Sequence, residues 1–412
     1  MEEWKEYKLG EVCTIVGRIG FRGYTTDDLT NNPKDGAITL SPTNIVQGEI
    51  DLSKPTYIKW PKYYESPEIM LNPSDIVLVK TGSSIGRTAY IRRINHPMTL
   101  NPQFVVLKNI SVNPIFLAYV IKTPLFQALL KSITVGSAIP TLSQKNLGNL
   151  IIHIPNDDYQ SKVASILKSL DDMIEVNRRI NDNLEQQVQA LFKSWFVDFE
   201  PFRDGGFVES ELGLIPKGWR VGTLGEICSQ SSLKVGSRND VKVLSPVTTG
   251  NLMLSEEYFT KQVFSESIVK YKVVKKGAFA YNPARVNIGS LGRNEYDFDG
   301  AVSPVYVVFE CKEGYSNFFD LFRTTERFKT EVLLRSIGGV RQSLNYVDFA
   351  MIQTIIAPKD VVDAFNPIME EIQVMQKHLA EENDRLATLR DTLLPKLMSG
   401  ELKVFDKPND QS

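Results

Sequence analysis

At 412 residues, with 42% apolar and 23% charged side chains, the chain exceeds one ordinary core and has a globular composition, so two or three domains are expected. An acidic polar start (Met1-Glu2-Glu3-Trp4-Lys5) and no run of about 18 apolar residues argue against a leader or membrane span and for a soluble, cytoplasmic protein, and a net charge of −2 argues at first against a nucleic-acid partner. Cys13, Cys228 and Cys311 are scattered, as are His96, His153 and His378; none stands at ligand spacing, which fits reduced thiols and ordinary histidines rather than a metal site.

In chain order, the first elements read as a mixed α/β globule. GRIGFRGY (17–24) is a glycine-rich basic loop. DIVLV (75–79), FVVLK (104–108) and NLIIHI (149–154) are β-branched runs bounded by Pro, Gly or Asn, and IFLAYVIKTPLFQALLKSI (115–133) is an amphipathic helix. Between the first two runs lies KTGSSIGRT, residues 80–88. A phosphate-binding P-loop needs four residues between its glycines, then Lys and Ser or Thr, so that backbone N–H groups wrap the phosphate. Here three residues separate Gly82 from Gly86 and Arg87 replaces the Lys, a near miss that leaves a nucleotide-binding enzyme as the competing reading.

A long helix follows. Val163, Ile166, Leu170, Met173, Asn177, Ile180 and Leu184 alternate spacings of four and three, and Val188, Leu191 and Trp195 continue with one slip. That stripe is a coiled-coil seam, in which Asn177 is either a buried amide fixing register or a solvated break. Asp157 and Asp158 open the helix, where its dipole favours acids. The segment FRDGGFVESELGLIPKGW (202–219), with Gly205-Gly206 and Pro216, is a linker.

The second half repeats the first. WKEYKLGEVC (4–13) returns as WRVGTLGEIC (219–228), LSPT (40–43) as LSPV (244–247), SIGR (84–87) as SLGR (290–293) and FVVLK as YVVFE (306–310); NLGNLIIHIP (146–155) matches DFAMIQTIIAP (348–358). FFDLFRTTERFKTEVLLRSI (318–337) is the second amphipathic helix. A second seam runs through Phe365, Ile368, Ile372, Met375, Leu379, Glu382, Leu386, Leu389 and Leu393. The expected fold is α/β of α+β type: two similar globules in tandem, each followed by a long helix. The helices would pair as an antiparallel coiled coil with pseudo-two-fold symmetry, a spacer of roughly 35 residues or about 50 Å. The expected divisions are 1–155, 156–200, 201–358 and 359–412.

Charge follows the same plan. Residues 1–155 carry +4, 156–215 carry −6, 216–358 carry +4 and 359–412 carry −4. No acid occurs from Ile76 to Asn156, nor from Ser267 to Asn294, although both stretches are rich in Lys and Arg. Uncompensated cations suit a polyanion, because each neutralised phosphate releases counterions.

The phrases LFKSWFVDFEPF (191–202), ELGLIPKGWRVGTLGEI (211–227) and LLPKLMSGEL (393–402), on this two-globule plan, closely resemble the specificity subunit of Type I restriction-modification enzymes over nearly the whole chain. The resemblance implies that each globule is a target recognition domain for one half of a bipartite DNA site. It also implies that the helices set the gap and dock two methyltransferase subunits. Those subunits would bind S-adenosylmethionine and methylate adenine N6, and motor-nuclease subunits would use ATP and Mg. This chain is expected to hold no cofactor or metal and to be non-catalytic: YNPARV (281–286) lacks the second proline and the aromatic residue of an amino-methyltransferase turn. A stand-alone architectural DNA-binding protein is a further alternative.

Guanine is read by Arg or Lys and adenine by Asn or Gln, whereas phosphates take Lys, Arg, Ser, Tyr and N–H groups. Candidates in the first half are Arg18, Arg22, Tyr24, Lys80, Ser83, Ser84, Arg87, Gln144 and Lys145. In the second they are Arg238, Lys242, Asn282, Arg285, Asn287, Ser290, Arg293, Arg341, Gln342 and Asn345. The Ser-x-Gly-Arg pair, being common to both halves, is assigned to framework or phosphate contact, and residues that differ between halves to base reading.

Overall fold

A computed structural model describes residues 4–136, 140–259, 267–336 and 343–404. Contacts divide the chain into two compact units, Met1–Arg178 with Ala380–Ser412, and Arg179–Leu379. The division falls inside both long helices, Asp157–Phe196 and Lys359–Met398.

In the first unit an antiparallel sheet runs in the order Thr14–Val16, Phe104–Lys108, Ile76–Val79, Thr88–Tyr90. A second sheet joins Met98–Leu100, parallel, to Gly36–Leu40, followed by Tyr57–Lys59 and Leu29–Thr30. Lys5–Lys8 pairs with Ile151–Ile154 and brings the two ends of the globule together. The strands Ile76–Val79 and Phe104–Leu107 are buried on both faces, which is why they read as continuous apolar runs rather than alternating ones.

The second unit repeats this plan. Its antiparallel sheet runs Cys228–Ser231, Val307–Cys311, Phe279–Tyr281, Leu291–Arg293. Arg220–Thr223 pairs with Gln353–Ile356, and Lys242–Pro246 lies parallel to Gly300–Val302. The shared opening phrase has a shared job. The carboxylates of Glu11 and Glu226 accept from the N–H groups of Lys8 and Thr223 at 2.8 and 2.9 Å and close a one-turn helix in each unit.

One sequence expectation changes. Each expected amphipathic helix is two helices: Pro114–Lys122 with Pro124–Ser132, bent by 68°, and Tyr315–Phe322 with Glu326–Arg335. Pro124 has no N–H to continue the first, and the hydroxyls of Thr123 and Thr325 cap the new starts by accepting from Phe126 and Phe328, each at 3.2 Å. Cys228 and Cys311, 83 residues apart, are cross-strand partners with sulfurs 3.5 Å apart, both as free thiols. Among the described residues no single helix is long and apolar enough to cross a membrane.

In the first unit the long helices run antiparallel. The Tyr159 hydroxyl donates to the Leu397 carbonyl, Asp171 pairs with Arg390, and Asn177 Nδ2 donates to Glu382 Oε2 at 2.9 Å and Asn383 Oδ1 at 3.1 Å. Asn177 is therefore the buried amide of the two alternatives. The buried stripe departs from the expected seam by one position in places: Leu167 and Ile174 are buried, whereas Met173 is 47% exposed. The helix also packs on its globule through Tyr159, Val163 and Ala164, so its buried arc is wider than a two-helix seam.

The family-like phrases serve packing. Phe192, Phe196 and Phe199 enter the core of the second unit with Trp219, Phe318 and Phe365, while Leu394 and Leu397 complete that of the first. Glycine is required at the end of each sheet hairpin. Gly86 and Gly289 have φ of +86° and +92°, and a Cβ on Gly289 would lie 2.7 Å from the Thr248 carbonyl oxygen. Gly289→Ala is expected to cost at least about 1–2 kcal/mol, read as a lower denaturation midpoint of the second unit.

Candidate functional site

Residues 80–88 fold as the turn of a hairpin between Ile76–Val79 and Thr88–Tyr90, with no helix after it. Four of its N–H groups are spent internally: Gly82 donates to Pro140, Ile85 to Gly82, Gly86 to Val79 and Arg87 to Ser84, at 2.9–3.1 Å. The Thr88 hydroxyl, which would hold magnesium in a P-loop, donates to the Val77 carbonyl. A phosphate cradle needs those N–H groups convergent and unpaired, so the nucleotide-binding reading fails here.

Strand register then corrects the repeat itself. Thr14 faces Lys108 and Ser229 faces Glu310, which makes Val105 equivalent to Val307. Val105 faces Leu78, which faces Thr88; Val307 faces Tyr281, which faces Leu291. Arg87 is thus the counterpart of Ser290, and Arg293 that of Tyr90. The two Ser-x-Gly-Arg matches lie three residues out of step and are not one shared element. The shared features are a turn of equal length, 79–87 and 282–290, and the glycine pair Gly86 and Gly289.

Several candidates turn inward. Arg18 is buried, donating to the carbonyls of Leu100 and Arg22 and to the Ser66 hydroxyl, with its guanidinium 5.2 Å from the Tyr24 ring; the Tyr24 hydroxyl shares a hydrogen bond with Thr39. These two staple the glycine-rich loop rather than face a ligand. Arg22 pairs with Glu68, and Arg238 is held by Asp240 and Asp299 through all three donor nitrogens. Buried Ser290 donates to the Pro246 carbonyl, and half-buried Arg293 donates to Asn317 at 2.9 Å. Asn345 caps the helix Tyr346–Ala350 by accepting from the Asp348 N–H at 2.9 Å. In each case an internal acceptor or donor consumes the group that would have met DNA. Arg341 and Gln342 lie outside the described residues.

The others stand open or partly open around the hairpin turns. Ser83 and Arg87 are exposed, Ser84 partly so, and Gln144 and Lys145 are exposed on the adjacent helix Gln144–Gly148. A Cβ placed on Gly17 would lie 2.8 Å from Gln144 Nε2 and 3.4 Å from Lys80 Nζ, so three loops distant in sequence converge there. Burial lowers the Lys80 pKa, and among the described residues it has no ion-pair partner. In the second unit Lys242, Arg285 and Asn287 are exposed; Asn282 is half-buried and accepts from the Ala284 N–H.

Two features were missed in the sequence. Arg87, Lys122, Gln127 and Arg390 line a cavity of about 560 Å³. Behind it is an ion network. Asp171 accepts from the Tyr119 hydroxyl at 2.5 Å and Arg390 Nη1 at 2.7 Å, and Arg92 bridges Asp172 and Glu49. Its members span residues 49 to 390, so no local spacing signals it. Among the described residues no group of three or more His, Cys, Asp or Glu could hold a metal ion.

A family model described as the Type I restriction modification DNA specificity domain matches residues 1–186. The chain is 29% identical to the Type I restriction enzyme MjaIX specificity subunit of Methanocaldococcus jannaschii, over 98% of this chain and 94% of that one. It is 24% identical to the HindI specificity subunit of Haemophilus influenzae, over 98% and 100%. Its fold is similar to the crystal structure of a Type-I restriction-modification system S subunit from M. genitalium, with a TM-score of 0.57, 15% identity and 96% of both chains covered.

Proposed function

We propose that the chain is a DNA specificity subunit, like the Type I restriction enzyme specificity subunits it is similar to over nearly its whole length, and that each unit reads one half of a bipartite DNA target. The observation that carries this reading is that two units of one topology present different open cations at the same hairpin turn. A common scaffold with different side chains suits two half-sites of different sequence.

In this reading the chain binds and positions DNA and does no chemistry. S-adenosylmethionine belongs to two methyltransferase subunits that methylate adenine N6, and ATP with Mg to motor-nuclease subunits. The methyltransferases dock on apolar residues that the long helices leave exposed, Met173, Val176 and Leu389 in the first unit and Ile368 and Met375 in the second. The helices set the gap between half-sites.

Co-expression with the adjacent reading frames, followed by mapping of methylated adenines, tests this. A split motif that disappears when the gene is deleted is expected; an unchanged methylome would refute the reading and leave an architectural DNA-binding protein. Lys145→Ala is expected to weaken binding about equally for all sequences and to reduce the salt slope by about one, the signature of one lost phosphate contact, checked by binding titrations at several salt concentrations.

A further inference from the structure

We propose that Arg87 and Arg285, on the equivalent hairpin turns 79–87 and 282–290, are base-reading residues, each donating its guanidinium fork to a guanine edge in a different half-site. This rests on the DNA-specificity reading above and deepens it.

The two turns are fastened by the same backbone bonds. Val79 N–H donates to the Arg87 carbonyl at 2.8 Å and Asn282 N–H to the Ser290 carbonyl at 3.0 Å, closing each turn. The Lys80 carbonyl accepts from Leu142 N–H and the Pro283 carbonyl from Leu344 N–H, tying each turn to the segment before the short helix. Main-chain bonds hold the turns without regard to side chain, so their interiors are free to differ. They do differ: VKTGSSIGR against NPARVNIGS share only Ile-Gly.

Within that common frame each turn carries one exposed arginine, at its ninth position in the first unit and its fourth in the second. Among the described residues neither has a carboxylate partner, in contrast to Arg22, Arg238 and Arg293. Both stand in the acid-free stretches of the sequence. A motif common to both halves would point to a phosphate contact for Arg87; register removes that objection, since its counterpart is the buried Ser290. A planar fork without an internal acceptor suits the O6 and N7 acceptors of guanine, and the different positions along the turn would address different base steps.

The test uses the full chain with its methyltransferase partners and reads methylated adenines. Arg87→Gln is expected to relax one base position of one half-site by about tenfold or more, and Arg285→Gln one position of the other, with the gap unchanged. Arg87→Lys and Arg285→Lys keep the charge but lose the fork, and are expected to relax the same positions while total binding persists. If the Gln variants lower methylation equally at all sites and the Lys variants restore it, both arginines are phosphate contacts and the proposal is overturned. If a Gln variant gives no methylation, its Lys counterpart decides: unchanged base preference overturns the proposal and relaxed preference supports it. A wild-type methylome with no motif dependent on this gene would instead refute the parent reading.

Discussion

Asp171→Ala is expected to lower the stability of the first unit by about 3 kcal/mol, the cost of leaving half-buried cations without their buried counter-charge. Asp171 is 7% exposed and lies between the Tyr119 hydroxyl of a core helix and Arg390 of the second long helix, while Lys122 adds a nearby charge. The substitution would orphan Arg390 and remove the acceptor of a tyrosine whose pKa burial and Asp171 push far up, so that it stays protonated and able to donate. Burial by itself would raise the Asp171 pKa, but Tyr119, Arg390 and Lys122 outweigh it and hold the carboxyl below its ordinary value. A depressed folded pKa contributes stability that is complete above the unfolded value of about 3.9 and is lost as pH falls through the folded value. Thermal melts from pH 7 to 3 should therefore show a shallower acid limb in Asp171→Asn than in the wild type. An unchanged melt at pH 7 in the alanine variant would show that the network contributes nothing.

Phe196→Ala is expected to cost about 3–5 kcal/mol in the second unit, because a large buried aromatic ring leaves a cavity that rigid neighbours cannot fill. The ring stands edge-on to Phe365 at 4.9 Å and Phe318 at 5.1 Å, with Phe192 at 5.2 Å and Trp219 at 5.8 Å. Val197, next in sequence but half exposed, is expected to change stability by less than about 0.5 kcal/mol as Val197→Ala. Denaturant titrations of both variants make the comparison; equal losses would mean that the phrase LFKSWFVDFEPF acts through general helix stability and not through this aromatic cluster.

The candidate site was legible as residue types and not as a surface. Arg18, Arg238 and Arg293 look the same in sequence as Arg87 and Arg285; only their acceptors, Leu100, Asp240 with Asp299, and Asn317, set them apart. Those acceptors lie 2 to 82 residues away, at separations no periodicity encodes. The amphipathic helices failed as single elements because the pattern spans the break, although Thr123-Pro124 was a local signal for it. Cys228 and Cys311 met because sheet pairing joins distant positions.

By itself the sequence determined the duplication, the sheet-forming runs and the two long helices, because each is written in periodicity or in contiguous phrases that local physics reads directly. Tertiary structure alone decided register. The SIGR and SLGR phrases match letter for letter in three places, yet they lie three residues out of step, so Arg293 stands on a strand against Asn317 while Arg87 ends a turn and stays open. Which arginine is held by an internal acceptor and which stays exposed was decided by the partner strand, not by the phrase that carries it.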